Sequence, residues 1–141
     1  MRDPVRGHPP LPHRAPFVLL DTIVEVAPGA HARAERMVTT ADPLLRDDAC
    51  LSETLLIEAM AQCAGVASAT GRGDTAGGLV AIDRLQVHGA VVAGDRLTLE
   101  AHVVKKMGPM VKVHVTARVG ADLRAEGQLV LRLGALSTGH A

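Results

Sequence analysis

The stretch "LSETLLIEAMAQCAG" (Leu51–Gly65) of this 141-residue chain has the residue spacing of a helix, and it lies between segments that predict strands. Ser52 is a suitable N-cap for that helix and Gly71 a suitable end. Alanine and glycine make up much of the segment, so another layer can approach its backbone closely. Apolar residues recur along it at three- and four-residue intervals, at Leu56, Ala59, Met60, Cys63 and Ala67. The pattern predicts one slim helix around which a sheet can curve.

The segments on both sides of the helix predict β-strands. Before it, Phe17–Val26 is rich in aliphatic and β-branched residues and ends at a Pro-Gly turn, and a short strand over Ala32–Thr39 returns. After it comes a Gly-rich connector, "GRGDTAGG", followed by predicted strands that start at Leu79, Arg96, Met110 and Leu123.

The last three strands carry the strongest signal. Every second residue from Val111 to Val119 is a valine or, once, an alanine, and the residues between them are polar. This alternation indicates a sheet with one face exposed to solvent. Met107-Gly108-Pro109 and Gly120-Ala121-Asp122 are short enough to be hairpin turns. We therefore expect an antiparallel meander, and overall an α+β fold in which one antiparallel sheet packs on one central helix.

Composition limits the function. Phe17 is the only aromatic residue and the formal net charge is zero, which disfavours a nucleic-acid-binding protein. No apolar run approaches the ~18 residues that a membrane span requires. Cys50 and Cys63 have no metal or redox spacing, and the seven histidines form no H-E-x-x-H pattern. We expect free thiols in a reducing cytoplasm, and no metal or other cofactor.

The chain length is that of one domain. We expect a single domain over residues 11–134, with a Pro-rich tail over 1–10 and a tail of small residues over 135–141.

Three segments carry a resemblance to a known family. "LPHRAPFVLLD" (Leu11–Asp21), "IEAMAQCAG" (Ile57–Gly65) and "AIDRLQVHGAVVAGDRL" (Ala81–Leu97) resemble, in order and approximate spacing, signatures of the 3-hydroxyacyl-acyl-carrier-protein dehydratases of the FabZ type. The resemblance covers nearly the whole chain between its two tails.

The resemblance implies a hot-dog fold, in which an antiparallel sheet wraps a long helix and two protomers pair edge to edge. It implies the loss of water from a β-hydroxyacyl thioester, carried by acyl carrier protein or by CoA. In that reaction a histidine removes the α-proton, while a helix carboxylate from the partner protomer helps the β-hydroxyl to leave. Glu58 falls on the position of that carboxylate.

One part of the family pattern is missing. The dehydratases carry a Gly-His-Phe-Pro-Gly segment between the second strand and the helix, whereas residues 41–62 here read "ADPLLRDDACLSETLLIEAMAQ". This segment is shorter and contains neither histidine nor glycine. The family's catalytic base is therefore absent, as are the glycines whose backbone would approach the thioester.

Three residues remain as candidates for a site. Glu58 is either catalytic or a carboxylate that reaches solvent at the rim of the apolar stripe. Gln62, one turn on, could donate to substrate or orient Glu58, and a polar rim residue is about as good an interpretation. His88 follows the strand that matches the family's "AID" segment, and it is either a substrate contact or substitute base, or a surface histidine.

Three functions stay open at this point. The chain is a FabZ-like protein that acts on or binds β-hydroxyacyl thioesters, an acyl thioesterase that uses the helix carboxylate, or a non-catalytic subunit. The subunit would pair with another hot-dog chain, and either a homodimer or a heterodimer is compatible with the sequence.

Overall fold

The computed structural model describes residues 19–43, 45–70 and 74–135. The predicted tail 1–10 and the start of the first predicted strand lie outside those ranges, as do residues 136–141 of the predicted tail 135–141. Ala135 itself is the last residue of the final strand. The elements in chain order are β1 (Thr22–Ala27), β2 (His31–Met37), α1 (Glu53–Ser68), β3 (Asp74–Val87), β4 (Arg96–Met107), β5 (Met110–Val119) and β6 (Asp122–Ala135).

The six strands form one sheet in the order β1-β2-β4-β5-β6-β3, and every neighbouring pair is antiparallel. Alternate residues of the central strands point at α1 and are fully buried, among them Leu97, Leu99, Val113 and Val115. The α+β hot-dog architecture and the β4-β5-β6 meander are confirmed. Among the described residues, no helix is long and apolar enough to cross a membrane.

The helix begins where the sequence predicts and ends slightly earlier. The Ser52 hydroxyl accepts a hydrogen bond from the Leu55 N–H at 3.2 Å, which satisfies one of the free donors of the first turn. The last helical residue is Ser68, and the Ala69 N–H donates to the Gly65 carbonyl. Gly71, the predicted end, lies outside the described residues. Ala59, Cys63 and Ala64 have no exposed surface, so the slim helix is enclosed on most sides.

The Gly-rich connector is shorter than predicted, because β3 already begins at Asp74. Pairing with β6 along its whole length draws these residues into the sheet. Gly78 lies at a β-bulge with a φ of +146°, a conformation that glycine adopts without strain. Composition alone indicated a loop there, and the long-range partner strand decides otherwise.

Candidate active site

Glu58 and Gln62 lie one turn apart on α1, as the spacing predicts. The Glu58 side chain is half-buried, whereas Gln62 is only 2% exposed. The Gln62 amide nitrogen lies 3.5 Å from Glu58 Oε1 and donates towards it. A helix residue with a buried amide therefore stands directly behind the candidate catalytic carboxylate.

The Gln62 amide is held from its other side by the chain that enters β1. The Leu19 N–H donates to Gln62 Oε1 at 2.8 Å. Because a backbone N–H can donate only to the oxygen of the amide, this bond turns the amide nitrogen towards Glu58. Leu19, the first described residue of the "LPHRAPFVLLD" motif, is thus anchored to the amide that faces the carboxylate.

Leu19 is held a second time, by a buried ion pair. Its carbonyl accepts a hydrogen bond from Arg36 Nη1 at 3.2 Å, and the other arm of that guanidinium pairs with Asp42. Both side chains of the pair are less than a tenth exposed. Sequence reasoning did not identify Arg36. Its position in the strand would have been enough to predict that it is buried, because Arg36 shares the inward face of β2 with Ala32 and Ala34.

The shortened segment before the helix folds into a closed turn. We call residues 45–51 the entry turn. Leu45 and Leu51 form an isolated β-bridge, the Arg46 N–H donates to the Cys50 carbonyl, and the Ala49 N–H donates to the Arg46 carbonyl. Ala49 has a φ of +62°, an uncommon value for a residue with a Cβ. The entry turn satisfies its own backbone and resembles a hairpin more than a substrate-binding loop.

The charges of the entry turn also bind one another. Asp48 accepts from the Cys50 N–H at 3.1 Å and pairs with Arg46 at 3.0 Å. The backbone hydrogen bond from Cys50, followed by the side-chain bond from Arg46, lowers the pKa of the Asp48 carboxyl. The turn is attached to the chain after β3, where the Leu51 N–H donates to the Val91 carbonyl at 2.8 Å.

His88 lies at a cavity of about 470 Å³ beside the first turn of α1. The lining residues are Arg46, Leu51, Ser52, Glu53, Thr54, Leu56, Val87, His88, Gly89, Ala90 and Val91. The imidazole is 43% exposed, with its Nε2 3.9 Å from Glu126 Oε1. Glu58 and Gln62 are not among these lining residues. Within one chain, then, the structure unites Glu58 with Gln62 and places His88 at a separate opening near the start of the helix.

An apolar strip extends the helix-facing side of the sheet beyond α1. Leu79 and Ile82 of β3 stand opposite Leu131 and Leu129 of β6, which are buried on the helix side. Paired residues of antiparallel strands share a face, so Leu79 and Ile82 also point to the helix side. They are nevertheless 39% and 44% exposed. Since β3 is an edge strand, this apolar strip is open.

The remaining reactive groups offer little for catalysis. Burial raises the pKa of the Cys63 thiol to about 12, and both cysteines are free. Within the described parts of the chain, no group of three or more His, Cys, Asp or Glu side chains is placed to hold a metal ion. Glu58, held by Gln62, therefore remains the candidate acid–base group.

Comparison with known proteins identifies the family and the fold. The model of a family described as ApeP-like dehydratases matches residues 8–129. A dehydratase heterocomplex, ApeI:P from Xenorhabdus doucetiae, is similar in structure with a TM-score of 0.71 and 25% identity, over 88% of each chain. A Streptococcus mutans protein solved with acetyl-CoA shares the fold with a TM-score of 0.68 and 17% identity, over 80% of this chain and 87% of that one.

Curated relatives match a shorter stretch. The 3-hydroxyacyl-acyl-carrier-protein dehydratase FabZ of Caldanaerobacter subterraneus is 39% identical over 61 residues, which is 40% of this chain and 43% of that enzyme. FabZ of a Roseiflexus species is 37% identical over 62 residues, covering 41% and 43%. The chain thus spans less than half the length of these curated relatives.

Proposed function

Because the chain belongs to the ApeP-like dehydratases, we propose that it takes part in the dehydration of 3-hydroxyacyl thioesters and supplies Glu58 as the acid. The observation that carries this proposal is the Glu58–Gln62 pair. A half-buried carboxylate is held by a buried amide, on the helix that faces an open apolar strip. An acyl chain is a suitable occupant for such a strip, and in this proposal the polar head of the bound substrate extends to the carboxylate.

The base comes from a second hot-dog chain in this proposal. The sequence has no histidine between His31 and His88, and the entry turn occupies the place where the family's histidine segment would lie. His88 serves substrate instead, by binding the thioester arm at the cavity beside the first helical turn. A His-bearing partner completes the site, and the similarity to a dehydratase heterocomplex supports a heterodimer.

Edge strand β3 is the proposed pairing surface. It runs for 14 residues, and it exposes Leu79, Val80 and Ile82 at 39%, 50% and 44%. An open apolar edge of this length favours pairing with another strand. Pairing there would place the partner against the apolar strip and convert it into an enclosed acyl groove.

The proposed chemistry balances with two groups. The partner's imidazole takes the α-proton, and the electrons of that C–H bond form the α,β double bond. The β-hydroxyl leaves as water after it receives a proton from Glu58. Passage of the proton from the imidazolium back to the carboxylate, directly or through water, restores both groups.

The choice between acyl carrier protein and CoA as thioester carrier depends on the surface around the cavity, and both suit an entrance beside His88. We also propose a cytoplasmic location, in which the free thiols Cys50 and Cys63 stay reduced.

The test uses the chain expressed together with a hot-dog chain of the same genome that carries a histidine before its helix. The complex is incubated with a 3-hydroxydecanoyl thioester and, separately, with a decanoyl thioester, while enoyl absorbance and free thiol are followed. Enoyl formation by the complex is expected. Release of thiol from the saturated thioester would favour a thioesterase, and silence with both substrates would favour a non-catalytic subunit.

A further inference from the structure

We propose that Arg36 and Gln62 are positioning residues for Glu58, joined to it in a relay that passes through the backbone of Leu19. The relay runs from Asp42 to Arg36, from Arg36 to the Leu19 carbonyl, from the Leu19 N–H to Gln62, and from Gln62 to Glu58. This inference rests on the proposed role of Glu58. It assigns a task to two buried polar residues that contact no part of the apolar strip described above.

The burial of Gln62 argues against a role in substrate binding. At 2% exposure its amide cannot lie against a ligand in the open apolar strip. The hydrogen bond from the Leu19 N–H fixes which end of the Gln62 amide faces the carboxylate. The N–H group of that amide is therefore already oriented towards Glu58. The 3.5 Å separation is at the long end for a hydrogen bond, and catalytic hydrogen bonds often shorten once the complete site is assembled.

The Arg36–Asp42 pair has a geometric task that an apolar pair could not perform. A buried ion pair is weak evidence for stability, because packed apolar residues often serve the fold as well. The two arms of this guanidinium, however, hold Asp42 and the Leu19 carbonyl at once, a fork that only arginine provides. Leu19 is thereby held at its carbonyl by Arg36 and at its N–H by Gln62.

The relay predicts a loss of turnover without a loss of substrate binding. A carboxylate that rotates away from the β-hydroxyl lowers kcat, since small misplacements of a catalytic group can cost up to about 100-fold. The apolar strip and the cavity at His88 do not include Arg36 or Gln62, so KM should hardly change.

Three variants of the heterocomplex test the relay. Gln62→Met removes both hydrogen bonds at similar volume, and kcat should fall at least about 10-fold. Gln62→Glu can still accept from Leu19 but cannot donate to Glu58 when ionised, so it should lose kcat while it keeps the Leu19 bond. Arg36→Lys keeps the charge but loses the fork, and should give an intermediate kcat. The control is Lys112→Met, which removes a surface pair with Asp83 on the outer face.

Two NMR measurements test the hydrogen bonds of the relay independently of enzyme activity. Amide exchange at Leu19 should quicken in Gln62→Met and stay slow in Gln62→Glu. The two γ-methylene protons of Glu58 should keep distinct chemical shifts in the parent chain and in Lys112→Met, and approach one another in Gln62→Met. A parent complex that shows the NMR pattern but forms no enoyl product would refute the proposed function and leave the relay intact.

Two results would overturn the relay. One is an unchanged kcat in Gln62→Met together with distinct Glu58 γ-proton shifts. The other is a fall in melting temperature for Arg36→Lys with kcat and the Glu58 shifts unchanged, which would make Arg36 a residue of the fold alone.

Discussion

The entry turn and the Glu58–Gln62 pair are seven residues apart in sequence, between Leu51 and Glu58, and they differ in almost every respect. The entry turn closes on itself, with a carboxylate that binds the N–H and guanidinium groups of its own residues. The Glu58–Gln62 pair is instead connected to other parts of the chain by hydrogen bonds, which run from Gln62 to Leu19 and from Leu19 to Arg36, the partner of Asp42. The charges of the first region bind one another, and the carboxylate of the second is held by an amide that is itself anchored.

Under the proposed function, that difference corresponds to a dehydratase fold that carries one group of a two-group site. The helix packs through the core, and it carries the Glu58 carboxylate on a half-buried position beside that packing. The entry turn adds Leu51 and, in part, Leu45 to the core. A loop can still vary in length, provided its backbone is satisfied. We therefore regard this chain as the acid-bearing member of a pair.

Among the changes that test this comparison of the Glu58–Gln62 pair with the entry turn, replacement of Glu58 should have the largest effect on turnover. Glu58→Gln keeps the size and removes the proton donor, and we expect kcat of the heterocomplex to fall by at least about 100-fold. The measurement is the initial rate of enoyl formation. Glu100→Gln, on the outer face of β4, is the matched control and should leave the rate unchanged. Similar rates for both variants would remove Glu58 from the chemistry.

Replacement of His88 should separate binding from catalysis. Since His88 lies at the cavity and not beside Glu58, we expect His88→Ala to raise KM about fivefold, the value of one hydrogen bond, with kcat retained. Steady-state kinetics on the heterocomplex gives both constants, with His102→Ala on the outer face as control. A collapse of kcat would instead make His88 the base of a rebuilt site.

The buried thiol of the helix, Cys63, and the thiol of the entry turn, Cys50, should differ in reactivity. At pH 8 a thiol reagent should label Cys50 in the folded chain and label Cys63 only after unfolding, because Cys63 is fully buried. The folded-state pKa of Cys63 is about 12 against an ordinary value of 9.0. Between these values only the unfolded chain loses the proton, so stability should decrease as pH rises, by up to about 1.4 kcal/mol per pH unit.

Chemical denaturation at several pH values from 9 upward measures this slope, and Cys63→Ala should reduce it. Equal labelling of both cysteines in the folded chain would show that the helix is less enclosed than described.

The smallest effect is expected in the entry turn itself. Ala49 adopts a φ that costs an L-residue energy, so Ala49→Gly should raise the free energy of unfolding by about 0.5 kcal/mol, after the entropy cost of glycine is subtracted. Thermal or urea unfolding measures the change. Turnover of the heterocomplex should not change. A marked loss of activity would indicate that the strained backbone serves catalysis and not the turn alone.

The sequence predicts the features that depend on local periodicity. Alternation in β5 and the short turns on both sides of it were sufficient for the meander, and Ser52 was sufficient for the start of α1. Features that depend on a distant partner were missed. The strand character of Asp74–Gly78 comes from pairing with β6, and Arg36 acquires its role only because Leu19 and Asp42 are brought to it. Spacing predicted that Glu58 and Gln62 share a face, but not that Gln62 is buried and anchored.

The most direct test of the half-site account is the rate of dehydration by this chain alone. The purified chain, without any His-bearing partner, is incubated with the 3-hydroxydecanoyl thioester while enoyl absorbance is recorded and native mass spectrometry gives its oligomeric state. We predict no enoyl formation above the uncatalysed rate, and formation on addition of the partner. Dehydration by the chain alone that disappears in Glu58→Gln would contradict the account, because the base would then have to lie within this chain.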